Sequence, residues 1–364
     1  YPVIVRPSYV LGGRAMEVIY DSSELEKYIN EAVKVSNDAP VLIDKFLNEA
    51  IEIDVDAIRD KKGEVYIAGI MQHIEEAGVH SGDSACSIPT YSISKIQLDL
   101  IKKNTIKMAN KLNVLGLMNV QFAIKDKKLY VIEVNPRASR TIPFVSKSIG
   151  VSVAKIAAKC MLGETLKEIN PPKERNSKYF NVKEVVFPFL KFPGADPILS
   201  PEMKSTGEVM GTGKTFEEAF AKSQISTNIE IPSGGNAFIS VKNEDKKNIN
   251  IVAKKLIQLG FNLVATGGTQ SYLNKNNIKC LRVNKVREGR THIVDMIKNK
   301  EIDLIINTTQ NKQAIKDSYL IRREALHQKV YYTTTIAGAN ALVGAISHSK
   351  NLKVYKLQNI FKLA

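Results

Sequence analysis

The chain has 364 residues, of which 44% are hydrophobic and 24% charged, and its formal net charge is +15. This length exceeds what one hydrophobic core usually supports, and the composition is that of a folded protein, which excludes disordered and fibrous classes. The longest apolar stretches have the length of strands, so we predict no membrane span and no membrane partner.

Residues 1–160 alternate β-rich runs with helical stretches, which predicts a mixed α/β domain. The runs predicted as strands are VIVRP, PVLIDKF, IEIDVDAI, VYIAGIM, NVQFAI and LYVIEV, and the predicted helices are SELEKYINEAVKVS and SKIQLDLIKKNTIKMANKL. The first strand-like run opens the chain without an initiator Met, so we expect a fragment of a longer protein.

Two further regions follow along the chain. Residues 161–228 are rich in Pro and Gly and end in the helical TFEEAFAKSQ, so we predict an irregular connecting unit. Residues 229–364 alternate short strands such as AFISV, FNLVAT and DLIINTT with helices, which predicts a doubly wound parallel sheet. The three cysteines, Cys86, Cys160 and Cys280, form no metal-ligand pattern, which favours a reduced, cytoplasmic location.

The basic charge lies in the last third of the chain. Residues 229–364 hold 22 Lys and Arg against 9 Asp and Glu, whereas residues 1–228 hold 30 against 28. This distribution indicates either an anionic ligand of the third region or a solvated lysine-rich surface.

Residues 118–137, MNVQFAIKDKKLYVIEVNPR, predict a β-hairpin with functional groups on one face. A three-residue loop at 126–128 would place Lys125 opposite Leu129 and Gln121 opposite Glu133. Side chains alternate along a strand, so Glu133 and Asn135 would share that face with Gln121. Oxygen ligands of this kind suit Mg²⁺. An ordinary hairpin with a polar outer face is the alternative.

Arg137 and Arg140 follow the hairpin closely, and guanidinium groups match carboxylate and phosphate geometry. The ExNPR strand, with a Gln on its hairpin partner, resembles the metal-binding strand of the ATP-grasp ligases. The resemblance extends to the second ATP-grasp half of the carbamoyl phosphate synthetase large chain through an ordered series of segments. These are RPSYVLGGRAM, SNDAPVLIDKFL, GVHSGDSACSIP, MNVQFAIK, IEVNPRASRTIPFVSK, KEVVFPFLKFPG and STGEVMG.

The resemblance implies a nucleotide site. Arg6 would contact the nucleotide phosphates, and the loop at Gly12 and Gly13 would close over them, since glycines let backbone N–H groups approach phosphate oxygens. Lys45 and Leu47 lie where the family contacts adenine, and Glu52 lies where it holds the ribose. The loop predicted to line the pocket consists of Gly78, Val79, His80 and Ser81. Without the resemblance, His80 is more typical of a hydrogen-bonded loop histidine.

The resemblance also implies a metal and substrate site. Gln121, Glu133 and Asn135 would bind Mg²⁺ or Mn²⁺, and Arg137 and Arg140 would grip carbamate or its phosphorylated product. A further acidic trio falls where relatives bind the activator ornithine, namely Glu75, Asp83 and Glu184. These three carboxylates would equally suit K⁺ or surface ion pairs.

The implied reaction converts ATP and carbamate to ADP and carbamoyl phosphate, within glutamine-dependent synthesis for arginine and pyrimidine biosynthesis. Catalysis would come from positioning and from metal and arginine charge. The implied partners are the glutaminase small subunit and the amino-terminal half of the large chain, in an oligomer. A fragment without them would be inactive alone.

Residues 229–364 resemble the methylglyoxal-synthase-like domain that ends the same large chain. Ligands of open α/β sheets bind at the carboxyl ends of strands, where ATGGT and INTTQ lie. The resemblance implies a pocket for the phosphate of UMP or IMP, formed by Lys246, Thr266, Thr269, Lys285, Asn307 and Thr309. Thr334 lies where relatives link this domain to the ornithine site. INTT lacks the carboxylate base of the lyase, so we predict a regulatory domain.

Two features of the sequence favour rival functions. GEVMGTGKT, residues 207–215, nearly matches a P-loop, but Glu208 stands where the first glycine is required. The basic last third favours a nucleic-acid-binding module, yet the chain has no Trp and no basic helix or stacking motif, so we expect no nucleic-acid partner.

Overall fold

The computed structural model describes residues 1–8, 15–36, 40–172, 178–192, 194–309, 312–350, 352–356 and 360. The chain divides into two compact units. One comprises Tyr1–Phe46, Val186–Gly207 and Gln224–Leu352, and the other comprises Leu47–Val185, Glu208–Ser223 and Lys353–Ala364. This division groups segments from distant parts of the chain, so the domain boundaries at 160 and 228 stay predictions.

A seven-stranded sheet forms the centre of the second unit, and its pairings from β9 to β8 are antiparallel. In sheet order the strands are β10 (Gly207–Gly213), β9 (Phe180–Val186), β6 (Cys86–Ile88), β5 (Val65–Glu76), β4 (Ile51–Arg59), β7 (Gly116–Lys125) and β8 (Lys128–Asn135).

Helices cover both faces of this sheet, but one face only in part. Helix α2 (Lys95–Lys111) begins at a capping box formed by Ser94 and Gln97 and covers the face of Ile53 and Val55. Helices α3 (Ile142–Ile149) and α4 (Val153–Met161) pack on the opposite face near Ile58. The remainder of that second face carries polar side chains. A short helix, α5 (Leu166–Ile169), follows α4.

The prediction that residues 161–228 are irregular was wrong in part, because β9 and β10 lie in this stretch and join the sheet. The glycines of the P-loop-like segment serve packing. A Cβ at Gly211 would lie 2.1 Å from the Ala219 carbonyl oxygen, and one at Gly213 would lie 2.6 Å from the Ala219 nitrogen. The glycines therefore let helix α6 (Phe216–Ser226) lie against β10.

Within the first unit, a small antiparallel sheet has the order β2 (Glu17–Ile19), β1 (Val3–Pro7), β3 (Val41–Lys45), and α1 (Ser22–Ser36) packs on it. Its core consists of Val5, Ile19 and Tyr28.

The same unit contains the predicted doubly wound sheet, which is confirmed: all four pairings are parallel. In sheet order the strands are β13 (Leu281–Val283), β12 (Phe261–Thr266), β11 (Gly235–Ser240), β14 (Leu304–Asn307) and β15 (Tyr331–Thr333). One face packs against α7 (Lys246–Gln258), α8 (Gly267–Lys275) and α12 (Ile336–Ser349), and the other packs against α9 (Ile293–Lys298) and α11 (Tyr319–Gln328). Helix α10 (Lys312–Asp317) precedes α11.

A buried ion pair fastens the segment that follows β9 to α11. Arg322, 2% exposed, donates from Nε to Asp196 Oδ1 at 2.8 Å, and its Nη2 contacts Asp196 Oδ2. Tyr319 Oη donates to the Gly194 carbonyl at 3.0 Å. Since a buried guanidinium needs a partner, this pair fixes the segment on the helix.

No helix among the described residues is long and apolar enough to cross a bilayer.

We predict that Asp196→Asn lowers the free energy of unfolding by about 3 kcal/mol, because it leaves the buried Arg322 charge uncompensated. The matched control is Asp317→Asn, which breaks the ion pair of Asp317 with Arg287, whose side chain is 75% exposed. That control should lower the free energy of unfolding by less than about 1 kcal/mol. Urea unfolding of the purified chains measures both, and equal losses would show that Asp196 is not a structural anchor.

Candidate active site

Strand β4 presents three acidic side chains on one face. Glu52, Asp54 and Asp56 alternate with Ile53 and Val55, and all five are buried. Because side chains alternate along a strand, the apolar pair enters the core and the carboxylates share the opposite face. The sequence IEIDVDAI carries this signal as a period of two, but the predicted site includes only Glu52 of these three carboxylates.

Strand pairing aligns two of these carboxylates with polar side chains of β7 and β8, which gives two rows across the three strands. One row joins Asp54, Gln121 and Glu133, and the other joins Asp56, Asn119 and Asn135. The predicted pairing of Gln121 with Glu133 is thus confirmed.

The predicted three-residue hairpin loop was wrong. Lys125 pairs with Lys128, so the turn has two residues, Asp126 and Lys127, with φ of 50° and 64°. Turns of this kind match the right-handed twist of the flanking strands. An irregularity at Ile132 adds one residue to β8 and restores the pairing of Gln121 with Glu133.

The three predicted metal ligands lie around this pairing. Asn135 Nδ2 donates to Glu133 Oε1 at 2.7 Å, and Gln121 Nε2 donates to Ser81 Oγ at 3.0 Å. One carboxylate and two amides form a set of hard oxygen donors, which fits Mg²⁺ with substrate phosphates completing its shell. The described residues contain no cluster of three or more His, Cys, Asp or Glu arranged to hold a metal ion.

The two predicted anion-binding arginines follow β8. Arg137 Nη2 donates to Asn135 Oδ1 at 3.3 Å, and its Nη1 donates to the Ala138 carbonyl at 3.0 Å. Arg140 lies close enough to His80 to lower its pKa, although burial is the larger cause. Both arginines are exposed and follow the predicted metal ligands in the chain, so their role in binding an anionic substrate stays a prediction.

The predicted nucleotide loop connects β5 with β6. It contacts side chains of two other strands, β4 and β7. The Gly78 N–H donates to the Glu52 carboxylate, and Gly78 has a φ of 108° that favours glycine. His80 Nδ1 accepts from the Gly82 N–H at 2.9 Å, and Ser81 accepts from Gln121. The structure therefore brings Glu52, Gly78, His80 and Ser81 close to the predicted metal ligands. Val79, between Gly78 and His80, is partly buried.

The other predicted nucleotide contacts lie in different places. Leu47 packs against Ala50, Ala77 and Ala123 in the second unit. Arg6 and Lys45 lie on β1 and β3 of the first unit, where Arg6 Nε is 4.0 Å from the Asp44 carboxylate. Gly12 and Gly13 lie outside the described residues, and their role stays a prediction.

Sequence reasoning missed a buried charge cluster beneath the site. His73 Nε2 lies 3.1 Å from Asp54 Oδ2, and its Nδ1 lies 3.8 Å from Glu52 Oε1. Burial alone would lower the pKa of His73, but Glu52 and the bond to Asp54 outweigh it and raise that pKa. Lys183, 2% exposed, donates to the Ser81 carbonyl at 3.2 Å. The buried cations compensate the carboxylates of β4.

The acidic trio predicted to bind ornithine lies near the loop that enters β6. Glu75 accepts from Ser84 Oγ and from the Ala85 N–H, both at 2.7 Å, and burial raises its pKa. Asp83 is buried in the same loop, and Glu184 follows Lys183 on β9. The ligand of this trio stays a prediction.

The predicted effector residues gather at the carboxyl ends of the parallel strands. Thr266, Ser240 and Asn307 end β12, β11 and β14, and Thr266 Oγ1 lies 3.1 Å from Ser240 Oγ. Asn307 is 4% exposed, and its Nδ2 has no hydrogen-bond partner among the described residues. An unpartnered buried amide at this position indicates a site for an acceptor ligand.

Cations lie beside the same strand ends. Gly267 and Gly268 begin α8. A Cβ atom on Gly267 would lie 3.5 Å from Arg282 Nε, and a Cβ atom on Gly268 would lie 3.8 Å from Lys246 Nζ. Arg282 was not among the predicted residues. The other predicted residues differ in environment. Thr269 Oγ1 accepts a hydrogen bond from the Val241 N–H, and Thr309 is partly buried after β14. Lys285 is exposed in a turn, and Thr334 directly follows β15.

Burial raises the pKa of Glu52 from 4.5 to about 7, which predicts a pH dependence of stability. The stability linked to this shift is present below pH 4.5 and is lost as the pH rises through about 7, because the folded state penalises the carboxylate. The raised pKa of His73 likewise lowers the free energy of unfolding as the pH rises. We predict that the wild-type free energy of unfolding falls about 2 to 3 kcal/mol more between pH 5 and 9 than that of Glu52→Gln.

Urea titrations at pH 5, 7 and 9 measure this difference, and Glu64→Gln, at an exposed position, serves as the control. Identical pH slopes for Glu52→Gln and the wild type would refute the assignment.

Both predicted regions of the chain are similar to known proteins. Residues 1–169 match the family model "Carbamoyl-phosphate synthase L chain, ATP binding domain", and residues 248–334 match the "MGS-like domain". The fold resembles a biotin carboxylase complex with β-γ-ATP from Campylobacter jejuni, with a TM-score of 0.50 and 17% identity over 62% of this chain and 56% of that one.

Sequence similarity to curated proteins covers almost the whole chain. The chain is 59% identical to the carbamoyl phosphate synthase large chain of Pseudomonas syringae pv. tomato over 360 residues, which is 99% of this chain. It is 55% identical over 367 residues to the same protein of Xanthomonas axonopodis pv. citri. It spans 34% of the length of each relative. The chain therefore contains an ATP-binding domain of the carbamoyl-phosphate synthase L chain type and an MGS-like domain, and along almost its whole length it is similar to carbamoyl phosphate synthase large chains.

Proposed function

We propose that this chain carries the ATP-dependent phosphorylation of carbamate to carbamoyl phosphate, as part of glutamine-dependent carbamoyl phosphate synthesis for arginine and pyrimidine biosynthesis. The observation that carries the proposal is the contact between Glu133 and Asn135 opposite Gln121, beside Arg137, in a chain that is similar to carbamoyl phosphate synthase large chains. Because the chain spans 34% of its relatives, turnover requires the amino-terminal half and the glutaminase subunit.

Glu133, Asn135 and Gln121 would hold Mg²⁺ or Mn²⁺, which neutralises phosphate oxygens when bound with the nucleotide. The Asn135 amide donates its Nδ2 hydrogens toward Glu133 in the structure. A cation is repelled by those hydrogens, so Asn135 must turn its Oδ1 inward for metal binding. Arg137, which donates to that Oδ1, is then released to contact the substrate.

The ATP assignment is supported by the matched ATP-binding domain and by the β-γ-ATP complex of the Campylobacter jejuni neighbour. Glu52, whose carboxylate accepts from Gly78, would hold the ribose, and the loop through Ser81 would border the phosphates. In the reaction, a carbamate oxygen bonds to the γ-phosphorus while the bond to the β–γ bridging oxygen breaks. Arg137 and Arg140 orient carbamate and stabilise charge on the transferring group.

The parallel-sheet domain would bind the phosphate of UMP or IMP and regulate the reaction. The unpartnered Nδ2 of Asn307, the hydroxyl of Thr266 and the cations near α8 support an anionic ligand. Ornithine, or K⁺, is the proposed ligand of Glu75, Asp83 and Glu184.

We predict that Glu133→Gln, made in the full synthetase, lowers the rate of ATP formation from ADP and carbamoyl phosphate by about a hundredfold, because the metal loses its only proposed carboxylate ligand. Asp126→Asn is the matched control. It lies in the turn at the far end of the same hairpin, and Asn tolerates its φ of 50°. Unchanged ATP formation in Glu133→Gln would contradict the metal role.

We predict that Lys246→Ala or Lys285→Ala weakens UMP binding to the full synthetase by about tenfold, the loss expected for one charge-assisted phosphate contact. Lys247→Ala is the control, since Lys247 is the exposed neighbour of Lys246. Calorimetry with UMP measures the affinities. Unaltered UMP affinity, or salt-sensitive DNA binding insensitive to UMP, would overturn the effector assignment.

A further inference from the structure

A buried carboxylate lies beneath the segment that carries the two site arginines. Asp56 is 1% exposed and accepts three hydrogen bonds: from Thr141 Oγ1 at 2.6 Å, from Ser139 Oγ at 2.7 Å and from Asn119 Nδ2 at 3.0 Å. Two of these three donors belong to the connection between β8 and α3. Asp56 therefore joins the centre of the sheet to that connection.

The connection is short and is anchored at both ends. It leaves β8 at Asn135, which pairs with Asn119, and it reaches α3 at Thr141, the N-cap residue. Ser139 Oγ also lies 2.7 Å from Thr141 Oγ1, so the two hydroxyls and the Asp56 carboxylate form a closed triangle of short contacts. The side chains of the residues on either side of Arg140 are thus hydrogen-bonded to one carboxylate.

Stability alone does not account for a carboxylate at this position. Removing a carboxylate from water costs several kcal/mol, and a well-packed apolar group would often stabilise the fold as well or better. Burial raises the pKa of Asp56 to about 6, although the bonds from Thr141, Ser139 and Asn119 oppose this shift. The carboxylate provides directional hydrogen bonds. Its acceptor oxygens fix two hydroxyls that flank a cationic side chain.

We propose that Asp56 is a positioning residue for phosphoryl transfer, which holds Arg140 in place through Ser139 and Thr141. The inference rests on the proposed function, since it assigns Arg140 to the carbamate or its phosphorylated product. Displacement of a substrate-binding group by about 1 Å can cost a hundredfold in rate. A fixed backbone is therefore needed wherever a long, exposed arginine acts on a transferring group.

The test is a double-mutant cycle in the full synthetase, assayed by ATP formation from ADP and carbamoyl phosphate. We expect Asp56→Ala to raise KM for carbamoyl phosphate at least tenfold and to leave KM for ADP within twofold. If Asp56 acts through Arg140, Asp56→Ala added to Arg140→Ala should lower kcat/KM by less than twofold further. The proposal would be overturned if the losses in kcat/KM of the two single variants multiplied in the double variant. It would also be overturned if Asp56→Ala raised both KM values equally.

A second pair of variants tests the proposal if Asp56→Ala does not fold. Thr141→Val removes the hydroxyl at nearly constant volume, and Thr141→Ser restores it. We expect Thr141→Val to reproduce the selective rise in KM for carbamoyl phosphate and Thr141→Ser to return it to within threefold of the wild type. Thr165→Val is the control, because Thr165 is a buried threonine that caps α5. Equal effects of Thr141→Val and Thr165→Val on KM would overturn the proposal.

Glu133→Gln separates failure of this inference from failure of the proposed function. If Glu133→Gln abolishes ATP formation while the Asp56 and Thr141 variants keep both KM values unchanged, the positioning role alone is refuted. If Glu133→Gln is fully active, the proposed function fails, and the positioning role fails with it.

Discussion

The pairing register of β4, β7 and β8 is the constraint on which the site depends. It places Asp54 in one row with Gln121 and Glu133, and Asp56 in the next row with Asn119 and Asn135. A slip of one residue in β8 would turn Glu133 and Asn135 to the other face of the sheet. The additional residue at Ile132 is therefore a requirement of the site, because the two-residue turn alone would leave Gln121 opposite Ile132.

This arrangement concentrates negative charge on one face of the sheet, and the surrounding residues offset it in two ways. Below the proposed metal ligands, His73 and Lys183 bring positive charge to the buried carboxylates. Beneath the arginine segment, Asp56 is satisfied by hydroxyl and amide donors. Glu133 is the acidic group that remains exposed, together with the two arginines. In the proposed reaction, the buried charges thus fix the framework, and the exposed ones meet the metal and the substrate.

Much of this molecule follows from local sequence patterns. Alternating strands and helices predicted the parallel sheet of residues 229–364. The pairing of Gln121 with Glu133 was predicted correctly from a three-residue loop that the structure does not have, because the extra residue lies at Ile132 in β8 instead of in the turn. Long-range contacts escaped prediction: Asp56 bonds Ser139 and Thr141 across more than 80 residues, and no local period encodes that contact. The strands β9 and β10 were missed because flanking Pro and Gly residues hide them, and because β9 pairs with β6, a strand distant in sequence. Arg282 was missed for the same reason, since its proximity to Gly267 arises from the pairing of β12 with β13.

The most direct measurement of the central claim is the anomalous scattering of Mn²⁺ in crystals of the full synthetase grown with ADP. The account predicts a manganese peak about 2 Å from carboxylate and amide oxygens of Glu133 and Asn135, with Gln121 beside it and the Asn135 amide turned relative to its present orientation. A nucleotide-bound manganese ion remote from all three side chains would contradict it.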